Sequence, residues 1–442
     1  MYFKRFIDEK LNDWKTNESR KPLLLRGARQ IGKTSAIRNL ATSFTHFIEI
    51  NFDENVEINQ LFEGNLNVDE ICNQLEIIVN IPIIEGETLL FLDEIQASPN
   101  AIKSLRYFYE KKPNLHVVAA GSLLEFALAE LPSFGVGRIA FMFVYPFSFE
   151  EFLSALGEDS LLKSIKNASN SNPLPQLIHQ KAIKILKSFL IIGGLPEAVA
   201  TYVKTKNYLS VQTVLDQLIT TYQSDFPKYK SRVPNIRIQE VFRNAILQVG
   251  NKFSFSLNTV YNNYQVKEAL ELLQMAGLLY SVTHSACNGI PIGAEINPKK
   301  RKMLIFDTGI YQRLLGLNLA DLFLSDEIDF VNKGAIAELF VGLELTKNNT
   351  DFLANLYYWQ RESKGSQAEV DYVIQDNYAI IPIEVKAGTK GAMQSMYKFF
   401  EEKKSDLGIR TSLENFGKID KIIILPIYAI GIALKENLKI MK

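Results

Sequence analysis

The chain has 442 residues, more than one hydrophobic core usually organises, so two or three domains are predicted. Its 47% apolar and 22% charged residues are those of a globular protein, and 49 basic against 49 acidic residues exclude a global field that would announce nucleic acid or a membrane as partner. Only two cysteines occur, Cys72 and Cys287, which excludes a disulfide framework and suits a reducing, cytoplasmic setting.

The first ten residues carry charge and no apolar segment, so no secretory signal is predicted. Phe3, Phe6, Ile7, Leu11 and Trp14 recur at helical spacing and predict an amphipathic helix within residues 1 to 20. Leu23 to Leu25 follows as a buried strand, and after it comes Gly27-Ala28-Arg29-Gln30-Ile31-Gly32-Lys33-Thr34. This is the G-x-x-x-x-G-K-[ST] spacing, in which the glycines let the backbone curl so that its N–H groups face a chain of phosphates. Lys33 then reaches the β- and γ-phosphates of a nucleotide, and the Thr34 hydroxyl is offered to Mg²⁺. Ser35 completes the set on the next helix, whose Ala36, Ile37, Leu40, Ala41 and Phe44 share one face. Its N-terminus directs free donors and the positive dipole end at the anion.

Four more apolar segments alternate with helical stretches: Phe47 to Phe52, Thr88 to Leu92, His116 to Ala120 and Ile139 to Val144. Such alternation predicts a parallel sheet covered by helices. The third strand ends in Asp93-Glu94, where Asp93 would hold Mg²⁺ through water and Glu94 would orient or deprotonate the attacking water. Ser122 follows the fourth strand and has two readings: a contact to the γ-phosphate or water, or a cap on the next helix. Arg138 precedes the fifth strand and reads as a surface arginine or as a finger offered to a neighbouring molecule.

From Phe147 the pattern is helical, with a polar loop from Lys166 to Pro175, a turn at Gly193-Gly194-Leu195-Pro196, and helices to about Tyr222. Ile236 to Gln248 and Val266 to Ala276 are helical by period, Leu278 to Val282 is a short strand, and Asn288-Gly289 signals a hairpin. This order suggests a winged helix-turn-helix. Lys299-Lys300-Arg301-Lys302 stands after it, and with Lys228, Lys230 and Arg232 it offers a phosphate-contacting surface for DNA. From Asp326 the expectation is a helix (Gly334 to Leu345), strands Leu356 to Gln360, Glu369 to Ile374 and Ile380 to Val385, a helix (Met393 to Lys403) and a strand (Lys421 to Leu425). Ile422 to Leu434 is uncharged but too short to span a bilayer, where about 20 residues are needed, and reads as a buried strand and turn.

Arg26 to Thr34, Leu92-Asp93-Glu94-Ile95-Gln96, Ala120-Gly121-Ser122, Tyr145 to Phe152 and Gly193 to Glu197 resemble, in order, the prokaryotic AAA-type ATPases of the archaeal-ATPase-like group. The resemblance implies a P-loop core with an additional strand and a catalytic glutamate, ATP and Mg²⁺ as ligands, and a C-terminal region similar to the PD-(D/E)XK nucleases. The predicted fold class is therefore α/β: an AAA-type P-loop ATPase domain (1–155), a helical connector (156–230), a winged helix (231–300) and a restriction-endonuclease-like domain (301–442).

In that last region Asp371, Glu384 and Lys386 form a D-x(12)-E-x-K pattern similar to the nuclease site. Alternation puts Glu384 and Lys386 on one strand face. Asp371 and Glu384, with Glu338 from a preceding helix, are candidate ligands for Mg²⁺ or Mn²⁺, and Lys386 a candidate to activate water. A solvated strand face and a nuclease fold kept for binding without cleavage are the competing readings. The working expectation is an ATP-gated enzyme acting on DNA. The alternatives are a nucleotide-dependent signalling or assembly switch and a plain ATPase, with homo-oligomerisation left open and no membrane partner.

Overall fold

Segments of unbroken apolar character become strands buried on both faces, and this places the ends that carry polar residues. The structure is a computed structural model describing residues 2–130, 137–229, 233–255, 260–319, 333–348, 355–362, 368–388 and 391–436. The chain divides into two units, one made of Met1–Tyr145 with Asp225–Arg232 and Met275–Gly277, the other of Pro146–Ser224, Val233–Gln274 and Leu278–Lys442.

In the first unit, helix α1 (Phe6–Thr16) leads into β1 (Leu23–Arg26), α2 (Lys33–Ala41), β2 (His46–Asn51), α3 (Val68–Val79), β3 (Thr88–Asp93), α4 (Pro99–Lys111), β4 (His116–Ala120), α5 (Leu124–Glu130) and β5 (Ala140–Phe143). All five predicted strands are present and pair in parallel in the order β2-β3-β4-β1-β5. β4 therefore lies between β1 and β3, the additional strand that the resemblance implies. β3 and β4 are buried along their whole length, as central parallel strands covered on both faces must be. β2, at the edge, alternates instead, with Ile48 and Ile50 inward. Leu24, Ile48, Leu90, Leu92, Ile102, Leu105, Phe108 and Val117 share one core against α3 and α4. That packing makes the sheet rigid and fixes the C-terminal ends of β1, β3 and β4 on one edge.

The second unit begins with α6 (Phe149–Ala155), capped reciprocally by Ser148 and Glu151, and continues through α7 (Asp159–Lys166), α8 (Gln176–Ile192) and α9 (Pro196–Thr205). Helix α10 (Tyr208–Tyr229) runs past the predicted end at Tyr222, and its last residues belong to the first unit. Then come α11 (Asn235–Leu247), α12 (Asn263–Met275), β6 (Leu279–Ser285), β7 (Ile296–Ile305), α13 (Thr308–Leu314), α14 (Lys333–Asn348), β8 (Leu356–Gln360), β9 (Glu369–Asp376), β10 (Ala379–Val385), α15 (Gln394–Glu402), β11 (Gly408–Ser412), β12 (Gly417–Ile419), β13 (Ile422–Pro426) and α16 (Ile430–Lys435).

The hairpin predicted at Asn288-Gly289 forms between β6 and β7, but it is not a free wing. It is the edge of a mixed eight-stranded sheet, β12-β13-β11-β10-β9-β8-β6-β7, because β8 pairs in parallel with β6. β7 also crosses residue 300, where the sequence reading separated a winged helix from a nuclease-like domain, so one sheet carries strands from both sides of that boundary. The basic run is part of β7, and its pleat turns Lys299 outward and Lys302 into the interior. Lys230, Arg232 and Asp326 lie outside the described residues.

Candidate active site

Positive φ at Gly27 (+131°), Gln30 (+63°) and Gly32 (+90°) curls the loop after β1, the alternation that turns successive N–H groups to one side. A side chain at position 27 is impossible as well as strained, since its Cβ would stand 2.3 Å from the Val144 carbonyl oxygen. Ala28 and Ile31 are buried and anchor the loop, whereas Gln30 points out. α2 starts at Lys33 straight after the left-handed cap Gly32, so its free donors face the loop's interior and Ser35 sits in its first turn.

Lys33 is buried, and its Nζ donates to the carbonyl oxygens of Gly27 (2.9 Å) and Ala28 (2.8 Å). Burial pushes its pKa down to about 8, against the pull of Glu94 and Asp93. The Thr34 hydroxyl donates to Asp93 Oδ2 at 2.9 Å, joining the loop to the end of β3 across β4. Asp93 Oδ1 accepts the Glu94 N–H at 3.0 Å, and burial holds the Asp93 carboxyl above its ordinary value. A hydroxyl and a carboxylate oxygen so placed are the hard-oxygen donor set that suits Mg²⁺ held partly through water. The residues present therefore fit a nucleotide with its metal.

Glu94 has left-handed φ (+48°), unusual for a residue with a side chain. Its Oε2 accepts from Gln96 Nε2 (2.6 Å), Ser122 Oγ (3.0 Å) and the Ser122 N–H (3.1 Å). Burial favours the neutral acid, but these bonds and the Lys33 charge outweigh it and keep Glu94 below the usual range. Ser122 thus binds Glu94 through both its donors, the backbone N–H and the hydroxyl. Arg29 Nη1 lies 2.8 Å from each oxygen of Asp225, near the end of α10, and Lys228 donates to the same carboxylate at 2.9 Å. Arg138 pairs with Glu110 of its own chain at 2.6 Å.

The second unit gathers the other predicted residues. Tyr372 of β9 opposes Ile383 of β10, which brings Asp371 and Glu384 to adjoining positions, and α14 supplies Glu338. Where the sequence reading expects a divalent ion, Lys302 enters the cluster. Its Nζ is 2.7 Å from Glu338 Oε1, 2.8 Å from Glu369 Oε1 and 3.8 Å from Asp371 Oδ1. Asp371 Oδ2 accepts the Val385 N–H at 2.8 Å, and Glu384 Oε1 accepts from Lys386 Nζ at 2.6 Å. Among the described residues, no group of three or more His, Cys, Asp or Glu side chains is arranged to hold a metal ion. Two expectations, a divalent ion between these carboxylates and DNA contact by the whole basic run, meet the same observation. An ammonium group stands among Glu338, Asp371 and Glu369, and the lysine that provides it is unavailable to DNA phosphates.

Burial raises Glu338 and Glu384 to about 7, while Lys302 stays charged because the carboxylates around it outweigh its own burial. Lys299 is exposed, Lys300 pairs with Glu362 at 2.7 Å, and Arg301 Nη2 donates to the Pro298 carbonyl at 2.6 Å.

Comparison with known proteins bears on each unit. Residues 19–153 match a family model described as AAA domain. The parallel five-stranded sheet of the first unit, with its loop 27–34, has the P-loop NTPase fold. Residues 183–321 and 333–430 match two models described as Domain of unknown function (DUF8612 and DUF4143). "Uncharacterized protein MJ1637" of Methanocaldococcus jannaschii is 24% identical over 226 residues, 48% of this chain and 46% of that protein, so less than half of the relative is spanned. Among solved structures, the Walker-type ATPase paby2304 of Pyrococcus abyssi is 16% identical, with a TM-score of 0.44 over 71% of this chain and 96% of that one. The Orc1 protein of Aeropyrum pernix, solved in complex with DNA, is 14% identical, with a TM-score of 0.27 over 72% and 92%.

Three residues with partners in these two clusters have no role in the sequence reading. Gln96 stood in a quoted motif, but its bond to Glu94 depends on the turn after β3. Asp225 is 196 positions from Arg29, and no local pattern links them. Glu369 opens the predicted strand β9, and only the inward turn of Lys302 reveals it as an ion-pair partner.

Proposed function

We propose that the protein binds ATP with Mg²⁺ at the loop 27–34 and hydrolyses it, as a nucleotide-dependent switch. The observation that carries this reading is the Thr34–Asp93 hydrogen bond, which puts the loop hydroxyl, the β3 carboxylate and Glu94 in one place. When bound, Mg²⁺ would be held by Thr34 and, through water, by Asp93, and would neutralise charge on the phosphates. The N–H groups of the curled loop and of the first turn of α2 orient the phosphates. Lys33 exchanges its two carbonyl partners for phosphate oxygens, which restore the full charge that burial erodes. Glu94, kept anionic by Gln96 and Ser122, accepts a proton from the attacking water and fixes its direction. The test is ATP binding by calorimetry together with phosphate release. Glu94→Gln should retain binding and lose turnover by roughly 10²- to 10⁴-fold, and wild-type turnover in this variant would refute the role.

The second unit reads best as a non-catalytic binding module, not as a nuclease acting on DNA. What favours this is Lys302, which supplies inside the carboxylate cluster the positive charge that a divalent ion would bring. Plasmid or single-stranded DNA incubated with the protein, Mg²⁺ or Mn²⁺ and ATP should stay intact. Cleavage abolished by Asp371→Ala would reverse the assignment.

A further inference from the structure

Three features converge beside Glu94. Its backbone is held in a left-handed conformation, which a non-glycine residue adopts only when its surroundings impose it. The Gln96 amide lies against it, with Nε2 toward the carboxylate, the one orientation that avoids facing two acceptors. The other end of that amide, Oε1, is buried and has no hydrogen-bond partner among the described residues. An unpaired buried acceptor costs free energy that a methylene group at the same place would not.

The fourth strand has adapted to this amide. A Cβ added to Gly121 would stand 1.9 Å from Gln96 Oε1, so a side chain at 121 would push the amide from this position. Gly121 is not in the left-handed region, and the restriction is one of space rather than backbone strain. The next residue, Ser122, provides the other two donors to Glu94. All three donors converge on Oε2, which restricts rotation of the carboxylate.

We propose that Gln96 is a positioning residue for ATP hydrolysis, holding Glu94 in its reactive orientation, and that Gly121 is its permissive partner, kept bare to admit the amide. The inference rests on the reading of Glu94 as the residue that activates water. The penalty carried by Oε1 is accepted because Nε2 is spent on Glu94.

The test compares steady-state ATP hydrolysis by the full chain and its Gln96→Met, Gln96→Ala and Gly121→Ala variants, with thermal unfolding measured alongside. Methionine keeps the length and removes both the donor and the unpaired acceptor. Gln96→Met should therefore unfold no earlier than the wild type and yet show kcat lowered about 10- to 100-fold, with KM for ATP changed less than about twofold. Gly121→Ala should lose kcat to a similar extent. On the Gln96→Ala background the same change should cost less than about a further twofold, because the residue it displaces is gone. Wild-type kcat in Gln96→Met, or losses that multiply in the double variant, would overturn the inference. Glu94→Gln separates the two levels. If it loses turnover while Gln96→Met does not, only the positioning role fails; if it too hydrolyses normally, both readings fail.

Discussion

Replacing Lys302 by methionine removes a buried charge from a cluster whose carboxylates are only partly exposed. The lysine side chain is 2% exposed, and its ammonium lies within 3 Å of carboxylate oxygens on Glu338 and Glu369 and within 4 Å of Asp371. Removing one partner of a buried ion pair typically costs about 3–5 kcal/mol, since the charge left behind keeps its desolvation penalty and loses its compensation. Here part of that cost is relieved by protonation, because Glu338 already stands at about 7 and rises further without its cation. The lower end, about 3 kcal/mol, is expected at pH 8, and less at pH 6. At roughly 2–4 °C per kcal/mol, the second unit should melt about 6–12 °C earlier at pH 8. Circular dichroism with and without ATP separates the transitions, since ATP moves only the unit that binds it. Adding Glu338→Gln to the methionine variant should recover part of the loss. A shift under about 2 °C at pH 8 would show that the lysine does not neutralise the cluster.

Lys33→Ala should weaken ATP binding by at least about tenfold, as it removes a charge-assisted contact to the phosphates; unchanged affinity by calorimetry would refute the placement of the nucleotide. Glu344, buried on α14 where it accepts the Phe149 N–H at 3.2 Å and faces Lys347, is raised by burial to about 7 from its ordinary value of 4.5. The folded state therefore holds a proton that the unfolded chain releases between about pH 4.5 and 7, so stability is full below that window and falls as pH rises through it, by up to ~3 kcal/mol. Glu344→Gln should flatten this fall for the second unit in urea titrations at pH 5.5 and 8, and an unaltered pH profile would remove Glu344 as its source. Arg29→Ala leaves the 4%-exposed carboxylate of Asp225 with Lys228. Because Arg29 is 35% exposed, the loss should be nearer 1 kcal/mol than the buried-pair value. Chemical denaturation showing no change would mean that the pair contributes nothing to the first unit.

The residues proposed to hold ATP were legible as a group because each belongs to a short contiguous signal set beside an apolar run. Gly27 to Thr34 follows β1, and Asp93-Glu94 ends β3, so the parallel sheet that aligns strand ends also assembles the site. β8, β9 and β10 likewise stand where the sequence reading expects strands. What stayed hidden is what contiguous pattern does not carry. β7 contains Asn297, Pro298 and four successive cationic residues, poor strand formers that read as a solvated run. Pairing with β6 overrides that preference, and the pleat then decides which cation faces inward. Glu338 meets Lys302 across 36 positions and Asp225 meets Arg29 across 196, separations at which only the fold says who neighbours whom. The D-x(12)-E-x-K spacing is blind for the same reason. It specifies Asp371, Glu384 and Lys386 but not what a neighbouring strand inserts between the carboxylates. A metal site and a lysine-neutralised site can share that pattern letter for letter, and the residue that distinguishes them here lies 69 positions before the pattern begins.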